Sequence, residues 1–243
     1  MIRKLVLFGL LAGATGWAAE PPEQMNDPTV ATLRRTDEAY KKLHQSFIKK
    51  GKDGPVGVLF LGDSITFRWI DAPQIWKEYY GKWQPANFGV GSERIQNVLW
   101  RIENGELEWI RPKVVVLLLG TNNTDVNSSE QIAAGMEKLI DTIHAKLPES
   151  KILLLGILPR GPRNEKEAEI KDAEKRMRVI QGANERLAQM DDGKGVRYLD
   201  FGTKLVVDGK IPMELMPDQV HLSVKGYAIW AEAMRPTIEE MMK

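Results

Sequence analysis

The stretch "VGVLFLGDSITFRW", residues 56 to 69, runs an apolar segment directly into Gly62, Asp63 and Ser64. Two readings of that junction compete. In one, Gly62 and Asp63 form a turn and Ser64 or Thr66 caps the next helix, because these residue types favour turns and helix N-caps. In the other, a buried strand delivers a nucleophilic serine at a strand-to-helix turn. The chain must then supply a base, an orienting acid and oxyanion donors elsewhere. Gly-Asp-Ser alone is too short to separate the two, so the rest of the sequence decides.

Similar apolar runs recur downstream: "PANFGV" at 85 to 90, "KVVVLLL" at 113 to 119, "KILLLGI" at 151 to 157 and "VRYLDF" at 196 to 201. With residues 56 to 61 they read as five strands, and near-continuous apolar composition suits strands buried on both faces of a parallel sheet. Between them, Ile132, Met136, Leu139, Ile140, Ile143 and Leu147 recur at helical spacing, as do Ile170, Ala173, Met177, Ile180 and Leu187. Both sets read as core-packing stripes. The charge-rich stretch 163 to 178 reads as the solvated face of a long helix. The alternation predicts an α/β protein, a three-layer α/β/α sandwich around a five-stranded parallel sheet.

That architecture bears on the serine. In open parallel sheets ligands bind outside the carboxyl ends of the strands, so the loops that follow the strands share one rim. Ser64 follows the first strand, Gly91 and Ser92 the second, and "GTNN" at 120 to 123 the third. Three polar loops are therefore expected to converge.

A chain of 243 residues, 43% hydrophobic and 28% charged, has the composition of a soluble globular protein with one sizeable domain. Its net charge of +1 gives no electrostatic reason to expect nucleic acid or an anionic membrane as partner. The opening "MIRKLVLFGLLAGATGWAAE" places Arg3 and Lys4 before a short apolar run and small residues. This is the grammar of a signal peptide, expected over 1 to 19 with cleavage near Ala18 or Ala19. The run falls far short of the roughly 20 residues that span a bilayer, so no stable membrane insertion is expected once it is removed. Without cysteine there is neither a disulfide nor lipid attachment at cysteine. Residues 20 to 54 read as an N-terminal extension with one helix near 29 to 50, and 55 to 243 as the main domain. A periplasmic or secreted location follows as the expectation.

A serine nucleophile needs a base that titrates near neutrality, and histidine is the usual one. The chain has three. His44 lies in the N-terminal helical segment and His144 on an amphipathic helix, where packed or surface roles are the default. His221 lies three residues after Asp218 in "MPDQVHLSVKGYAIW", just before the last helix, so one turn can present both side chains. That segment alone also fits a plain turn with Ser223 as helix cap. Combined with Ser64, the assignment is Ser64 as nucleophile, His221 as base and then acid, and Asp218 orienting the imidazole. The expected oxyanion donors are the Ser64 N–H, an N–H of the Gly91-Ser92 loop and the Asn122 amide, with Asn123 the more dispensable neighbour. Asn127 or Ser128 is expected to cap the helix after that loop.

Competing motifs fail. Thr66 stands where G-x-S-x-G needs its second glycine, no G-x-G-x-x-G follows a strand, and there is no P-loop. "DVNSSE" lacks the calcium-loop glycine and three scattered histidines without cysteine give no zinc pattern, so neither metal nor cofactor is expected.

The blocks "FLGDSIT", "NFGVGSERIQNVLWRIENGELEWIRPKVVVLLLGTNNT" and "PDQVHLSVKGYA" resemble, in order, those of the GDSL or SGNH hydrolase superfamily. The middle block is most similar to the branch with the platelet-activating-factor acetylhydrolase catalytic subunits and bacterial acetylesterases. Similarity runs from about residue 55 to the C-terminus. The resemblance implies a flavodoxin-like SGNH hydrolase fold, a Ser64, Asp218 and His221 triad, and Asn122 in the oxyanion hole. Ser92 departs from it, since the family usually has glycine there. A serine at that position implies ordinary backbone dihedrals.

The expected activity is that of an exported serine esterase removing a short acyl group, foremost acetyl, from a small-molecule or glycan ester, with cell-envelope esters favoured by location. Two alternatives stand beside it: a lysophospholipase or thioesterase of the same superfamily, and a carbohydrate-binding protein that has lost catalysis on this scaffold.

Overall fold

The computed structural model describes residues 26–243; the leader expected over 1 to 19 lies outside the described residues. Five parallel strands, β1 (Val58–Gly62), β2 (Pro85–Gly89), β3 (Val114–Leu118), β4 (Lys151–Leu155) and β5 (Val196–Leu199), form one sheet in the order β2-β1-β3-β4-β5. This is the five-stranded α/β sheet expected from the apolar runs, each strand a residue or more shorter than its run.

Side-chain alternation along the strands divides the core. Leu59, Leu61, Val115 and Leu117 face one layer, where they meet α1 (Glu38–Asp53), α4 (Ile95–Arg101), α5 (Ser129–Lys146) and α6 (Glu167–Leu187). Val58, Phe60, Val114 and Val116 face the other, against α3 (Pro73–Tyr80) and α7 (Val224–Met241). That second layer is aromatic: Phe60, Trp69, Tyr80, Tyr227 and Trp230 are all buried, and the Trp69 and Trp230 rings sit 5.0 Å apart. Truncating a buried aromatic of this kind costs roughly 3 to 5 kcal/mol.

Register places the loops. Gly62 at the end of β1 pairs with Gly89 of β2 and Leu118 of β3, so the three strands finish level and the segments after them emerge side by side. The short helix α2 (Ser64–Phe67) folds straight back over the end of β2. A Cβ at Gly89 would stand 2.2 Å from the Phe67 nitrogen, so only glycine admits this approach.

The N-terminal helix, expected near 29 to 50, starts at Glu38, because Asp37 caps it by accepting from the Tyr40 N–H. Residues before the cap are used otherwise. The Thr32 N–H donates to the Gln96 carbonyl and Asn97 donates to the Thr32 carbonyl, which straps this segment across α4. Ser128 caps α5 in a capping box with Gln131. The α6 stripe is core at Ala173, Ile180 and Leu187, but Ile170 is 39% exposed, because the first turns of α6 overhang a cleft instead of the sheet.

Candidate active site

At the β1 end, Asp63 rather than Ser64 or Thr66 caps α2: its carboxylate accepts from the Ile65 N–H at 2.9 Å. Ser64 thus becomes the first helical residue with its hydroxyl free to face the rim. Tyr227 on α7 donates to the Ile65 carbonyl at 2.6 Å and ties α2 to the helix that follows His221. Asp63 is itself buried, and burial pushes its carboxyl up to about 7 against the opposing Ile65 hydrogen bond.

The segment before α7 is folded by one carboxylate. Asp218 Oδ1 accepts from the His221 N–H at 2.7 Å and the Val220 N–H at 3.1 Å, while Oδ2 lies 2.6 Å from His221 Nδ1. Burial works to raise this carboxyl, but the hydrogen bonds from the His221 side chain and backbone outweigh it and hold Asp218 at about 2. The other imidazole nitrogen, Nε2, lies 2.8 Å from Ser64 Oγ, across 157 residues of chain. Ser64, His221 and Asp218 therefore form one continuous line of hydrogen-bonded groups.

The other two histidines are elsewhere. His44 is buried with Nδ1 2.8 Å from Glu106 Oε1, and His144 sits near Gly195, before β5 and hence at the opposite end of the sheet.

The loops after β2 and β3 close the rim. The Asn122 amide donates to the Glu93 carbonyl at 2.9 Å, and Arg160 donates to the Thr121 carbonyl at 3.0 Å, which anchors the "GTNN" loop from two sides. Ser92 has φ of +58°, in the left-handed region, so the expectation of ordinary dihedrals is wrong. The turn needs a reversal there, and a serine is held in it at a cost on the order of 1 kcal/mol. The Ser92 carbonyl is held in turn by a hydrogen bond from Arg34 Nη1.

Asn123 is built into the core rather than left at the rim. It is buried, its side-chain oxygen Oδ1 accepts from the Ile95 N–H at 3.0 Å, and its side-chain amide donates to Gln96 at 3.1 Å and Asn127 at 2.9 Å. The first asparagine thus faces the rim and the second welds the loop to α4.

A buried ionic chain beneath this loop was not anticipated. Glu93 Oε1 accepts from the Tyr40 hydroxyl at 2.6 Å and Oε2 lies 2.8 Å from Arg101 Nε. Arg101 Nη1 reaches Glu106 at 2.7 Å, and Glu106 reaches His44. These groups join α1 to the backbone that presents Ser92. The signal was in the sequence: Arg101 falls on the same helical face as Ile95, Val98 and Ile102, where a charge must be paired to be tolerated.

A cleft of about 1140 Å³ runs between α6 and the loops after β4 and β5. It reaches the Asp218 turn only through Gln219, and Ser64 is not on its wall. The line of Ser64, His221 and Asp218 lies outside it, with Ser64 at the end of β1.

Fold and site together define an ester hydrolase with a serine, a histidine and an aspartate in line at the sheet rim. Residues 60–229 match the model of the GDSL-like lipase/acylhydrolase family, and the chain belongs to that family. It is 34% identical over 220 residues to the platelet-activating factor acetylhydrolase IB subunit alpha2 of Homo sapiens, covering 89% of this chain and 90% of that one. The human alpha1 subunit is 32% identical over 219 residues, covering 88% and 89%. Among solved structures, a GDSL-like lipase from Bacteroides thetaiotaomicron superposes with a TM-score of 0.64 at 20% identity, over 81% of this chain and 97% of that one. A carbohydrate acetylesterase family member from Sinorhizobium meliloti gives a TM-score of 0.59 at 16% identity, over 76% and 98%. At those identities the structural likeness speaks to the fold.

Proposed function

We propose that this ester hydrolase is an exported acetylesterase in which Ser64 is the nucleophile, His221 the general base and acid, and Asp218 the group that orients the imidazole. The observation that carries the reading is the 2.8 Å separation of Ser64 Oγ and His221 Nε2, with Asp218 2.6 Å from the other ring nitrogen. With the Nδ1 proton directed at Asp218, Nε2 presents its lone pair to the serine hydroxyl. Ser64 Oγ then attacks the ester carbonyl as its proton passes to Nε2, and the same proton leaves with the alcohol. Water repeats the sequence on the acyl-enzyme and releases the acid.

The oxyanion is received by the N–H of Ser64, which as the first residue of α2 has no partner within the helix, by the Ser92 N–H, and by the Asn122 amide. Acetyl specificity is supported by the names of the acetylhydrolase relatives. Export is supported by the Arg3, Lys4 and apolar run of the leader, and it favours glycan or cell-envelope esters over an intracellular lipid.

Hydrolysis of p-nitrophenyl acetate, butyrate and octanoate, measured beside acetylated sugars, tests this. Steep preference for acetate with turnover of acetylated sugars is the expected result. Preference for octanoate would point to a lipase-like enzyme, and absence of any turnover to a binding protein.

A further inference from the structure

We propose that the substrate of this site carries a fixed negative charge, a carboxylate or phosphate, which is received by Arg34 and Arg94 in a pocket directly beside the oxyanion loops. The inference rests on the esterase reading above and names a substrate class for it.

A pocket of about 410 Å³ shares Ser92 and Asn122 with the site, and its wall includes Arg34, Arg35, Arg94 and Asp125. The charges do not cancel. Asp125 is engaged by Arg176 at 2.7 Å and Arg160 at 3.8 Å, and Arg35 by Asp37 at 2.6 Å. Among the described residues no carboxylate pairs with Arg34 or Arg94. The nearby Glu93 carboxylate is bonded to Tyr40 and Arg101 in the core.

Both guanidinium groups are tied to backbone carbonyls of the two loops, and Arg94 also to the Asn26 side chain. Arg94 Nε donates to the Asn122 carbonyl at 3.1 Å and its Nη1 to Asn26 at 2.9 Å, while Arg34 Nη1 donates to the Ser92 carbonyl. Each arginine is thus tied to a residue proposed to hold the oxyanion. A guanidinium has five N–H donors in a planar fork suited to carboxylate and phosphate, and these bonds engage only part of each fork. Two such groups, each tied to the loop backbone and without an ion-pair partner among the described residues, form a cationic pocket that an anionic substituent on the alcohol side of an ester can fill without reorganising the loops.

The test compares kcat/KM for three acetyl esters: an acetylated methyl glucoside, the corresponding acetylated methyl glucuronide, and acetylglycerol 3-phosphate. Wild-type enzyme should favour at least one anionic ester over the glucoside by about 10-fold or more, mostly through KM, and the preference should shrink with added salt. Which anionic ester wins identifies the source of the charge. In Arg34→Ala, Arg94→Ala and the double variant, the anionic-to-neutral ratio should collapse toward one, and Arg34→Lys and Arg94→Lys should keep part of it. Equal rates on all three esters in the wild type, or a ratio unchanged in the variants, would overturn the proposal, the latter because the arginines would then only brace the loops. Binding of methyl glucuronide and glycerol 3-phosphate to Ser64→Ala, with and without Arg34→Ala, gives a readout independent of turnover. Absence of any ester hydrolysis by the wild-type enzyme with anion binding intact would sink the esterase reading and leave the anion pocket standing, while wild-type turnover of neutral esters without anion binding would do the reverse.

Discussion

The Asn122 amide spends one of its N–H bonds on the Glu93 carbonyl at 2.9 Å, and that bond fixes where the other one points. Glu93 is in turn gripped by Tyr40 and Arg101, so the orientation of a group at the rim depends on a buried ionic chain. Asn122→Ala should therefore lower kcat by roughly 10² to 10³ with little change in KM, the usual cost of one oxyanion donor. Asn123→Ala should act differently: its four-residue hydrogen-bond network is buried, so stability falls by about 1 to 3 kcal/mol, read as a lower Tm. If Asn123→Ala kept its Tm and lost kcat instead, the two roles would be exchanged.

Ser64→Ala should abolish ester hydrolysis, and a serine-directed organophosphonate should label Ser64 alone. Peptide mapping of the labelled protein is the check, and modification of any other serine would redirect the search for the nucleophile.

His221→Ala should be nearly as damaging as Ser64→Ala, because neither His44 nor His144 lies at the rim. Asp218→Asn should cost less, since Asp218 orients and stabilises without touching the substrate. Because Asp218 is held at about 2, it stays ionised throughout the working range, and any fall in rate between pH 8 and pH 5 belongs to another group. A kcat for Asp218→Asn below that of the wild type and above that of His221→Ala, measured at one pH near 8, is the expected outcome.

Ser92 is held at φ of +58°, so substitutions there should be ranked by backbone tolerance. Ser92→Gly removes strain on the order of 1 kcal/mol but adds a similar unfolded-state entropy, leaving stability within about 1 kcal/mol and kcat/KM within several-fold. Ser92→Val should destabilise clearly, because β-branched residues resist this region. Ser92→Pro cannot adopt the conformation at all, so its expected loss of roughly 10² or more in kcat/KM reports a rebuilt loop as well as a missing donor. Thermal melts beside kinetics separate these effects.

Asp63 has its carboxyl raised to about 7 by burial, from an ordinary value of 3.8. Between those values the folded protein holds a proton that the unfolded chain has released, so stability falls as pH rises through this window, by at most about 4 kcal/mol. The effect opposes that of Asp218, whose lowered value adds stability above 3.8 that is lost as pH falls through about 2. Asp63→Asn keeps the cap to the Ile65 N–H and removes the titration, so its Tm should vary less between pH 4 and 7 than that of the wild type. An identical pH slope in the variant would mean that another group carries it.

Much of this molecule is written locally. Continuous apolar runs bounded by Gly62, Gly89 and Gly120 specify buried parallel strands, since only a sheet covered on both faces hides them, and the loops after those strands must then share a rim. The Asp218 and His221 pair is equally local, because three residues make one turn. What the sequence could not specify depends on contacts distant in the chain. The 2.8 Å approach of Ser64 to His221 follows from α7 packing on α2 through Tyr227 and Ile65. The left-handed Ser92, the structural Asn123 and the exposed Ile170 each reflect what lies across a tertiary interface, where packing and hydrogen-bond satisfaction override residue type. The unpaired charges of Arg34 and Arg94 are of the same kind. In the sequence they are two arginines among many, and only the fold, by engaging Asp37, Glu93 and Asp125 with other partners, leaves them at a pocket with no ion-pair partner among the described residues.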